Sequence, residues 1–339
     1  MNVILPHRDS DDGNEIAPTF PSWDDVILDP IDPTTSGPRR ITIIAHLASV
    51  LMVLAGIGII GIPLIGRCRT SLAQAQTIAT AKQTAASWPK SHRDLLLDSA
   101  RDYNKRLAAS GQHVLGEVAA PFADGNDKTT ATDDGDNSPQ SSIAYQSLLD
   151  IGDGVMGTIR IPKISVDLPI LHGTSEKALE QGAGHLYGTS LPIGGVSTHA
   201  VVTGHRGLVS ALMFTRLDEI HAGDSFYIDM MGKEFGYRVD RISVIEPDDS
   251  RLLRITPGED RVTLMTCTPY GVNTHRLLVS GVRARIPEDI PPSSDSPKDA
   301  LTIAIITATA IGLPGTIACM ACSRKKRRII SRHASERRH

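Results

Sequence analysis

The stretch VTLMTCTPYGVNTHRLLVSG, residues 262–281, contains two strand-like apolar runs separated by Pro, Gly and Asn. Cys267 stands at the end of the first run, and Arg276, nine positions later, opens the second. An apolar, β-branched run bounded by turn-forming residues is typical of a β-strand. The stretch therefore predicts two strands, with Cys267 and Arg276 at neighbouring strand ends. Two hypotheses for Cys267 remain open at this point: a buried structural cysteine and a reactive thiol.

Similar short runs continue on the N-terminal side, back to Gly157, with Pro, Gly, Asn and Asp between them. One segment, SEKALEQG, has the character of a short helix instead. Seven or eight short strands with turn signals predict a mainly β fold, a closed barrel or a sandwich, over about residues 153–287. The runs are GTIRIPKI, DLPILHG, HAVVTGH, SFYIDMMG, YRVDRISVI, RVTLMTC and RLLVSGVRARI.

Two long uncharged segments flank this region, at residues 41–66 and 301–323. Each is long enough to cross a hydrocarbon core of about 30 Å at about 1.5 Å per residue, and neither shows a polar face. We therefore predict two transmembrane helices. A cleaved signal peptide is the alternative for the first segment, because Ala73-Gln74-Ala75 follows it. The apolar stretch is, however, much longer than the usual core of about 7–15 residues, which favours an uncleaved anchor.

The basic residues predict how the chain is oriented in the membrane. Residues 324–339 carry eight Lys or Arg and one acid, which predicts a cytoplasmic C-terminus. With two spans, the N-terminus then also lies inside. The protein is thus predicted to be a two-span cell-membrane protein whose strand-rich domain is extracytoplasmic.

The remaining segments complete the predicted organisation. In residues 70–110, apolar residues recur at three- and four-residue spacing, which predicts helix. Residues 121–142 lose this periodicity and are expected to form a loop. The predicted division is a disordered cytoplasmic tail at 1–40, an anchor at 41–66, a helical segment and loop at 67–152, a β-barrel domain at 153–287, a linker at 288–300, a second span at 301–323 and a basic tail at 324–339.

The composition of the chain restricts which partners and which reactions are expected. The formal net charge of −3 says little, because the charges are unevenly placed, and no repeat or glycine-rich phosphate loop is visible. We expect no nucleic-acid partner. The other cysteines, Cys68, Cys319 and Cys322, lie at the ends of the apolar segments, so the strand-rich domain has no internal disulfide available. A lone thiol outside the cell is open to oxidation, which favours a functional use for Cys267.

A reactive cysteine needs a base and a cation nearby, because a free thiol with a pKa near 8.5 is only about 3% thiolate at pH 7. His205 ends the apolar run AVVTGH, which places it at a strand end. His275, next to Arg276, is the rival base. Arg276 carries a planar donor fork that suits a developing oxyanion, although a surface ion pair is the alternative. From the residues alone, both histidines remain candidates.

Three features together resemble the sortase family: TLMTC ending at Cys267, Arg276 nine residues later, and an upstream TGH ending at His205. TLxTC is the cysteine signature of that family, and TCTPYGVNTHRL strongly resembles its pilus-building class C branch. The similarity extends back through GTIRIPKISVDLPILHGTSEKALEQGAGHLYGTSLPIGG and covers about residues 155–286. The resemblance implies a closed eight-stranded sortase-type β-barrel and a site made by Cys267, His205 and Arg276. It makes His275 a loop residue, and it implies neither a metal nor an organic cofactor.

Class C sortases are similar to this chain in having a second, C-terminal span, and they carry a lid with an Asp-Pro-aromatic motif before the barrel. Here the matching place reads Ala120-Pro121-Phe122, so the resemblance assigns Pro121 and Phe122 to a lid. Ala120 stands where the relatives have the aspartate, and therefore it cannot form a salt bridge from the lid to Arg276. Asp124 is the alternative acid nearby.

The resemblance also implies a function. It implies a cysteine transpeptidase that cleaves LPxTG-like sorting signals of pilin or surface proteins and joins the acyl group to a lysine amine of another pilin. The alternatives are a housekeeping-type sortase that anchors surface proteins to the cell wall, and a Cys–His hydrolase that transfers the acyl group to water.

A different class of protein, a sorted surface protein, is a further alternative, because Leu313-Pro314-Gly315-Thr316 matches LPxT. Ile317 replaces the glycine of that motif, and the match lies inside the second apolar segment. We interpret the match as chance.

Overall fold

The helices that precede the barrel break at a proline. The computed structural model describes residues 39–112, 143–208 and 211–287 and Thr307. Helix α1 spans Arg39–Ser87, and helix α2 spans Lys90–Ala109. Pro89 lies between them with φ −54° and ψ 144°. Because proline lacks an N–H donor and its ring disfavours helical geometry in the preceding residue, one helix ends there and a second begins. The helical prediction for residues 70–110 is confirmed, with this interruption.

The chain divides into two compact units, Met1–Ile57 and Gly58–His339. In the first unit the structure describes residues 39–57, which belong to α1. Within the described part of the chain, no helix is both long enough and apolar enough to cross a membrane. The transmembrane helix predicted at 41–66 is therefore not confirmed. Of the second one, at 301–323, only Thr307 is described.

Eight strands form a closed barrel in the order β1-β2-β3-β4-β7-β8-β6-β5, which confirms the predicted mainly β fold. Neighbouring strands are antiparallel except for β2–β3 and β4–β7, which are parallel. The strands are β1 Val155–Ile161, β2 Val166–His172, β3 Ala183–His185, β4 Thr198–Thr203, β5 Ser225–Met230, β6 Lys233–Ile245, β7 Asp260–Thr268 and β8 His275–Ala284. The short helices are α3 Ile143–Gln146 and α4 Glu176–Gln181, with 3₁₀ turns at Pro162–Ile164, Leu217–Glu219 and Arg251–Leu253.

Apolar side chains from every strand fill the barrel interior. They recur at every second position, as in Ala200 and Val202 of β4 or Val262 and Leu264 of β7, because alternate residues of a strand point to one face. Full burial of each large apolar side chain contributes about 1.5–3 kcal/mol. This packed interior leaves the strand ends as the places where polar side chains can meet.

Strand β3 is the element that the sequence pattern did not show. It has only three residues, too few for an alternating pattern, and it is fixed by parallel pairing with β2 after the crossover through α4. A Cβ atom at Gly184 would lie 2.4 Å from the carbonyl oxygen of Gly173, so this close approach of two backbones requires glycine. Pairing with distant residues, rather than local propensity, makes this segment a strand.

Buried Asn104 attaches helix α2 to the barrel domain. Its Nδ2 donates to the carbonyl oxygen of Leu191 at 3.0 Å, and the Leu191 N–H donates to Asn104 Oδ1 at 2.7 Å. One side-chain amide thereby satisfies both backbone groups of Leu191, as a neighbouring strand would. Leu97 and Ala100 of the same helix are buried in the core.

Several predictions concern residues outside the described ranges. They include most of the tail at 1–40, the lid residues Pro121 and Phe122 with Asp124, the linker at 288–300 and the basic tail at 324–339. These remain predictions, as does the division into domains.

Candidate active site

Strands β7 and β8 place Cys267 and Arg276 directly opposite each other. Their antiparallel register pairs Cys267 with Arg276, and Thr268 with His275. Directly opposed residues share a face of the sheet, and successive residues point to opposite faces. Cys267 and Arg276 therefore lie on one face, while His275 lies on the other. Cys267 is 5% exposed and Arg276 is 6% exposed, so both side chains are shielded from bulk water.

The connection from β7 to β8 is held by its own hydrogen bonds. The N–H groups of Val272 and Asn273 both donate to the carbonyl of Pro269, at 3.1 and 2.9 Å. Asn273 has φ 61°, in the left-handed region that asparagine tolerates. Its carbonyl oxygen accepts a hydrogen bond from Arg276 Nη1 at 3.4 Å. The turn thus closes back onto the arginine and restrains its guanidinium.

His205 follows strand β4, which runs parallel to β7. The register pairs Thr203 with Met265, and the Gly204 N–H donates to the Met265 carbonyl at 3.0 Å. The pairing ends there, and His205 follows Gly204 at the same end of the barrel at which Cys267 follows Met265 by two residues. The barrel thus gathers at one end the three residues that the sequence singled out, although β4 and β7 are distant in the chain.

Gly204 allows the backbone before His205 to approach its neighbours closely. A Cβ atom there would lie 2.7 Å from the ring of Phe214, which is fully buried. The Thr266 hydroxyl donates to the Gly204 carbonyl at 2.7 Å and fixes the peptide from the other side. Close packing therefore requires the glycine of TGH, and this packing fixes the backbone position from which His205 projects.

His275, the rival base, is the first residue of strand β8 rather than a loop residue, and its side chain is engaged away from the thiol. Its Nε2 lies 3.2 Å from Glu246 Oε1, and its Nδ1 lies 2.9 Å from the Thr274 hydroxyl. Its side chain is 41% exposed. With Cys267 on the opposite face of the hairpin, the structure separates His275 from the thiol.

The electrostatics of Cys267 combine burial with two cations. Burial raises the pKa of the Cys267 thiol, while the charges of Arg276 and Arg206 oppose that rise. Because the resultant direction is upward, the neutral thiol predominates at neutral pH and the thiolate is a minority form. The nucleophile is therefore available in a small fraction of molecules, and that fraction depends on the two guanidinium groups.

Arg206 is the site residue that sequence reasoning missed. It is 7% exposed at its side chain, its Nη1 donates to the Thr268 hydroxyl at 3.0 Å, and its Nη2 lies 2.6 Å from Asp218 Oδ2. These contacts hold its charge next to the residue that follows Cys267. The sequence feature that could have indicated Arg206 is its position directly after His205 in TGHRG. This segment is, however, also typical of a polar turn.

Helix α4 brings a carboxylate to the same end of the barrel. Glu176 Oε1 lies 3.4 Å from His205 Nε2. The side chain of His205 is 15% exposed and that of Glu176 is 53% exposed, so the pair lies at the boundary between protein and solvent.

Two other histidines of the barrel domain are buried in structural hydrogen bonds. His185 Nε2 donates to the Ser190 carbonyl at 2.9 Å, and the Tyr145 hydroxyl lies 2.7 Å from its Nδ1. Burial lowers the pKa of His185 to about 4. Burial likewise lowers the pKa of His199 to about 4, and its Nδ1 donates to the Arg254 carbonyl at 2.9 Å. Both rings are neutral parts of the core at physiological pH.

Among the residues that the structure describes, no group of three or more His, Cys, Asp and Glu side chains is arranged to hold a metal ion. Cys68 is exposed, Cys267 is buried, and neither forms a disulfide. The predicted lid residues Pro121 and Phe122 are not among the described residues.

Comparison with known proteins identifies the family to which this chain belongs. The sortase domain family matches residues 159–284. Among curated proteins, sortase D of Bacillus subtilis (strain 168) is 30% identical over 130 residues, which covers 38% of this chain and 63% of sortase D. The chain thus spans less than two thirds of the length of that curated relative.

Some solved structures are similar to this chain over their own whole length. Sortase C1 of GBS pilus island 1 is 39% identical with a TM-score of 0.54, over 63% of this chain and 100% of that one. Sortase C-1 from Streptococcus pneumoniae is 40% identical with a TM-score of 0.54, over 62% of this chain and 100% of that one. The chain belongs to the sortase family of cysteine transpeptidases.

Proposed function

We propose that this protein is a class C-type sortase that cleaves an LPxTG-like sorting signal and joins the acyl part to an amine. The observation that carries the proposal is the register that sets Cys267 opposite Arg276, with His205 following the adjacent strand β4. Acyl transfer through a thioester needs a nucleophile, an acid–base group and a donor for the developing oxyanion. These three residues supply one group each.

In the first half-reaction, the Cys267 thiolate attacks the carbonyl carbon of the Thr–Gly bond. A C–S bond forms, and the carbonyl electron pair moves onto oxygen, where the Arg276 guanidinium donates to it. The C–N bond then breaks, and protonated His205 gives its proton to the departing amine. A thioester on Cys267 and a neutral imidazole remain.

In the second half-reaction, an incoming amine attacks the thioester carbon and transfers a proton to the His205 imidazole. Collapse of the tetrahedral intermediate breaks the C–S bond, and the Cys267 thiolate leaves. The product is a new amide, and the thiolate–imidazolium pair is restored. Because the thiol pKa is raised, the reactive form is a minority, and the turnover rate depends on whatever stabilises it.

The acceptor is proposed to be a lysine amine of another pilin, so that repeated cycles build a pilus. The support is the likeness to the sortase C1 of a pilus island, together with TCTPYGVNTHRL around Cys267. A housekeeping-type anchoring reaction would use the same three residues with a cell-wall amine, and a hydrolase would use them with water. The nature of the acceptor distinguishes these functions.

The protein is proposed to act at the outer face of the cell membrane, with segments 41–66 and 301–323 as anchors. The support is the absence of Asp, Glu, Lys and Arg from both segments and the basic run that follows the second. Resistance of the full chain to extraction from membranes by alkaline carbonate would support the anchors. Complete release into the soluble fraction would contradict them.

Co-expression with candidate pilins that carry LPxTG-like signals tests the function. A transpeptidase of pilins gives a ladder of covalent polymers on a denaturing gel, and the ladder disappears with Cys267→Ala. A hydrolase gives a shortened monomer, and an anchoring enzyme gives pilin monomers attached to cell-wall fragments. Either of those outcomes would contradict pilin polymerisation.

A further inference from the structure

We propose that Glu176 is a positioning residue for His205, a role that rests on the proposed function of His205 as the acid–base group. Glu176 Oε1 lies 3.4 Å from His205 Nε2. This distance is longer than a normal N–H···O hydrogen bond and within range of an ion pair. The carboxylate therefore acts on the imidazole mainly through its charge, and most strongly when the imidazole is protonated.

The local fold fixes where Glu176 points. Ser175 caps helix α4, since its hydroxyl accepts a hydrogen bond from the Ala178 N–H at 3.3 Å. Ala178 and Leu179 are buried, and they hold the other face of this short helix against the barrel. Glu176, in the first turn, is left on the exposed face beside the end of β4. Its approach to His205 thus follows from the helix cap and the buried face together.

Two guanidinium groups lie at the same end of the barrel as His205 and the Glu176 carboxylate. Arg206 is the next residue in the chain, and Arg276 lies across from Cys267 on β8; both guanidinium charges act on the thiol. Two cations at this end of the barrel favour the thiolate. The Glu176 carboxylate places a negative charge at the Nε2 side of the ring that carries the proton in the thiolate–imidazolium pair. The thiolate–imidazolium pair needs both kinds of charge.

The side of the ring that Glu176 faces also selects a tautomer. A carboxylate near Nε2 favours the neutral imidazole that carries its proton on Nε2. In this tautomer, Nδ1 is the nitrogen that accepts the proton from the incoming amine. Glu176 orients the ring in the manner of the carboxylate in serine-protease triads, although it sits at a more exposed position.

The test compares Glu176→Gln and Glu176→Ala in the full-length chain, with Glu180→Gln as the matched control. Glu180 is an exposed carboxylate on the same helix, so its loss reports effects on α4 alone. Two quantities are measured for each variant: steady-state kcat and KM with an LPxTG peptide and an amine, and the tautomer of His205. The tautomer is read by 15N NMR of histidine-labelled protein at alkaline pH, with the resonance assigned from a His205→Asn sample.

The proposal predicts a graded result. Glu176→Gln loses the charge but keeps a carbonyl dipole near Nε2, so the Nε2–H tautomer is retained in part while kcat falls about 10-fold, in the range of one charge-assisted contact. Glu176→Ala shows the same or a larger fall and a lower population of the Nε2–H tautomer. KM changes little in both variants, and Glu180→Gln matches wild type.

An unchanged tautomer and unchanged kcat in Glu176→Ala would overturn the proposal, and so would an equal loss in Glu180→Gln. The NMR measurement is independent of turnover. If wild-type protein fails to process any LPxTG peptide, the proposed function fails, while the tautomer comparison still decides whether Glu176 positions the ring.

Discussion

Cys267 and Arg276 are direct cross-strand partners in the antiparallel pair β7–β8, and both side chains are almost fully buried. Their relative position is set by the strand register rather than by a loop. A shift of the register by one residue would move the arginine to the opposite face, because side chains alternate along a strand. The hairpin therefore fixes the cation relative to the thiol before any substrate binds.

Arg276→Lys should lose about 10²–10³ in kcat with an LPxTG peptide, because a lysine ammonium cannot reproduce the planar donor fork toward the oxyanion. Steady-state kinetics measures the loss, and circular dichroism checks that the fold is retained. Turnover close to that of wild type would show that the guanidinium does not serve the oxyanion.

The neighbouring residue provides the control for this variant. His275→Ala should leave kcat nearly unchanged, since His275 lies on the opposite face of the hairpin and contacts Glu246. An inactive His275→Ala together with an active His205→Ala would reverse the assignment of the base.

Arg206→Gln should make Cys267 less reactive. The Arg206 charge opposes the rise in the pKa of the thiol, so its removal raises that pKa further and reduces the thiolate fraction at a given pH. Alkylation by iodoacetamide near pH 7.5 should slow by about 3- to 10-fold, and the alkylation profile should move to higher pH.

Arg251→Gln is the matched control, because Arg251 is a highly exposed arginine paired with Asp249 in a 3₁₀ turn. Its alkylation rate should equal that of wild type, measured on the peptide that contains Cys267 so that Cys68, Cys319 and Cys322 do not contribute. A similar rate for Arg206→Gln and Arg251→Gln would remove Arg206 from the site.

The sequence predicted best those features that depend on residues near one another in the chain. The runs that became β7 and β8 are separated by a short turn, so alternation and turn residues were enough to place Cys267 near Arg276. The short helix α4 was read from SEKALEQG for the same reason. The barrel domain was recognised because most of its strands are long enough to show a pattern.

The features that the sequence could not predict depend on closure of the barrel. Strand β3 exists because β2 and β4 lie on either side of it, and its three residues carry no pattern of their own. The pairing of β4 with β7 is parallel and non-local, so the residues alone did not decide between His205 and His275. Arg206 looked like a solvated turn residue, and only the fold shows it buried beside Thr268. The membrane span at 41–66 is not confirmed.

The buried histidines should make the fold less stable in acid. The pKa of His185 and that of His199 are each lowered to about 4, whereas an unfolded chain titrates near 6.5. Between these values the unfolded state binds more protons, so the free energy of unfolding falls as the pH drops from about 6.5 to about 4. Each ring can account for a loss of roughly 3 kcal/mol by the low end of that window.

Urea unfolding followed by circular dichroism at several pH values measures this dependence. His199→Asn keeps a donor near the Arg254 carbonyl but does not titrate, so its stability should depend less steeply on pH. His92→Asn, at an exposed position of α2, should retain the wild-type slope. Equal slopes for all three proteins would contradict the assigned role of His199.

Asn104→Ala should destabilise the attachment of α2 to the barrel. The substitution leaves the Leu191 N–H without its amide partner in a buried place, while the Leu191 carbonyl keeps its hydrogen bond from the Ile193 N–H, so the cost is about 1–3 kcal/mol. Asp102→Ala, on the same helix at an exposed position, should cost less than about 0.5 kcal/mol. The free energy of unfolding measured in urea compares the two, and similar values for both variants would show that Asn104 is not an anchor.

The most direct test of the account is the intact mass of the full chain after incubation with an LPxTG peptide and no added amine. We predict a mass increase equal to the peptide fragment that ends at threonine, removed by hydroxylamine as expected for a thioester, in wild type and in Cys68→Ala. Cys267→Ala should remain folded and gain no mass. An adduct that persists in Cys267→Ala, or a folded wild-type protein that never acquires one, would contradict the assignment of Cys267 as the nucleophile.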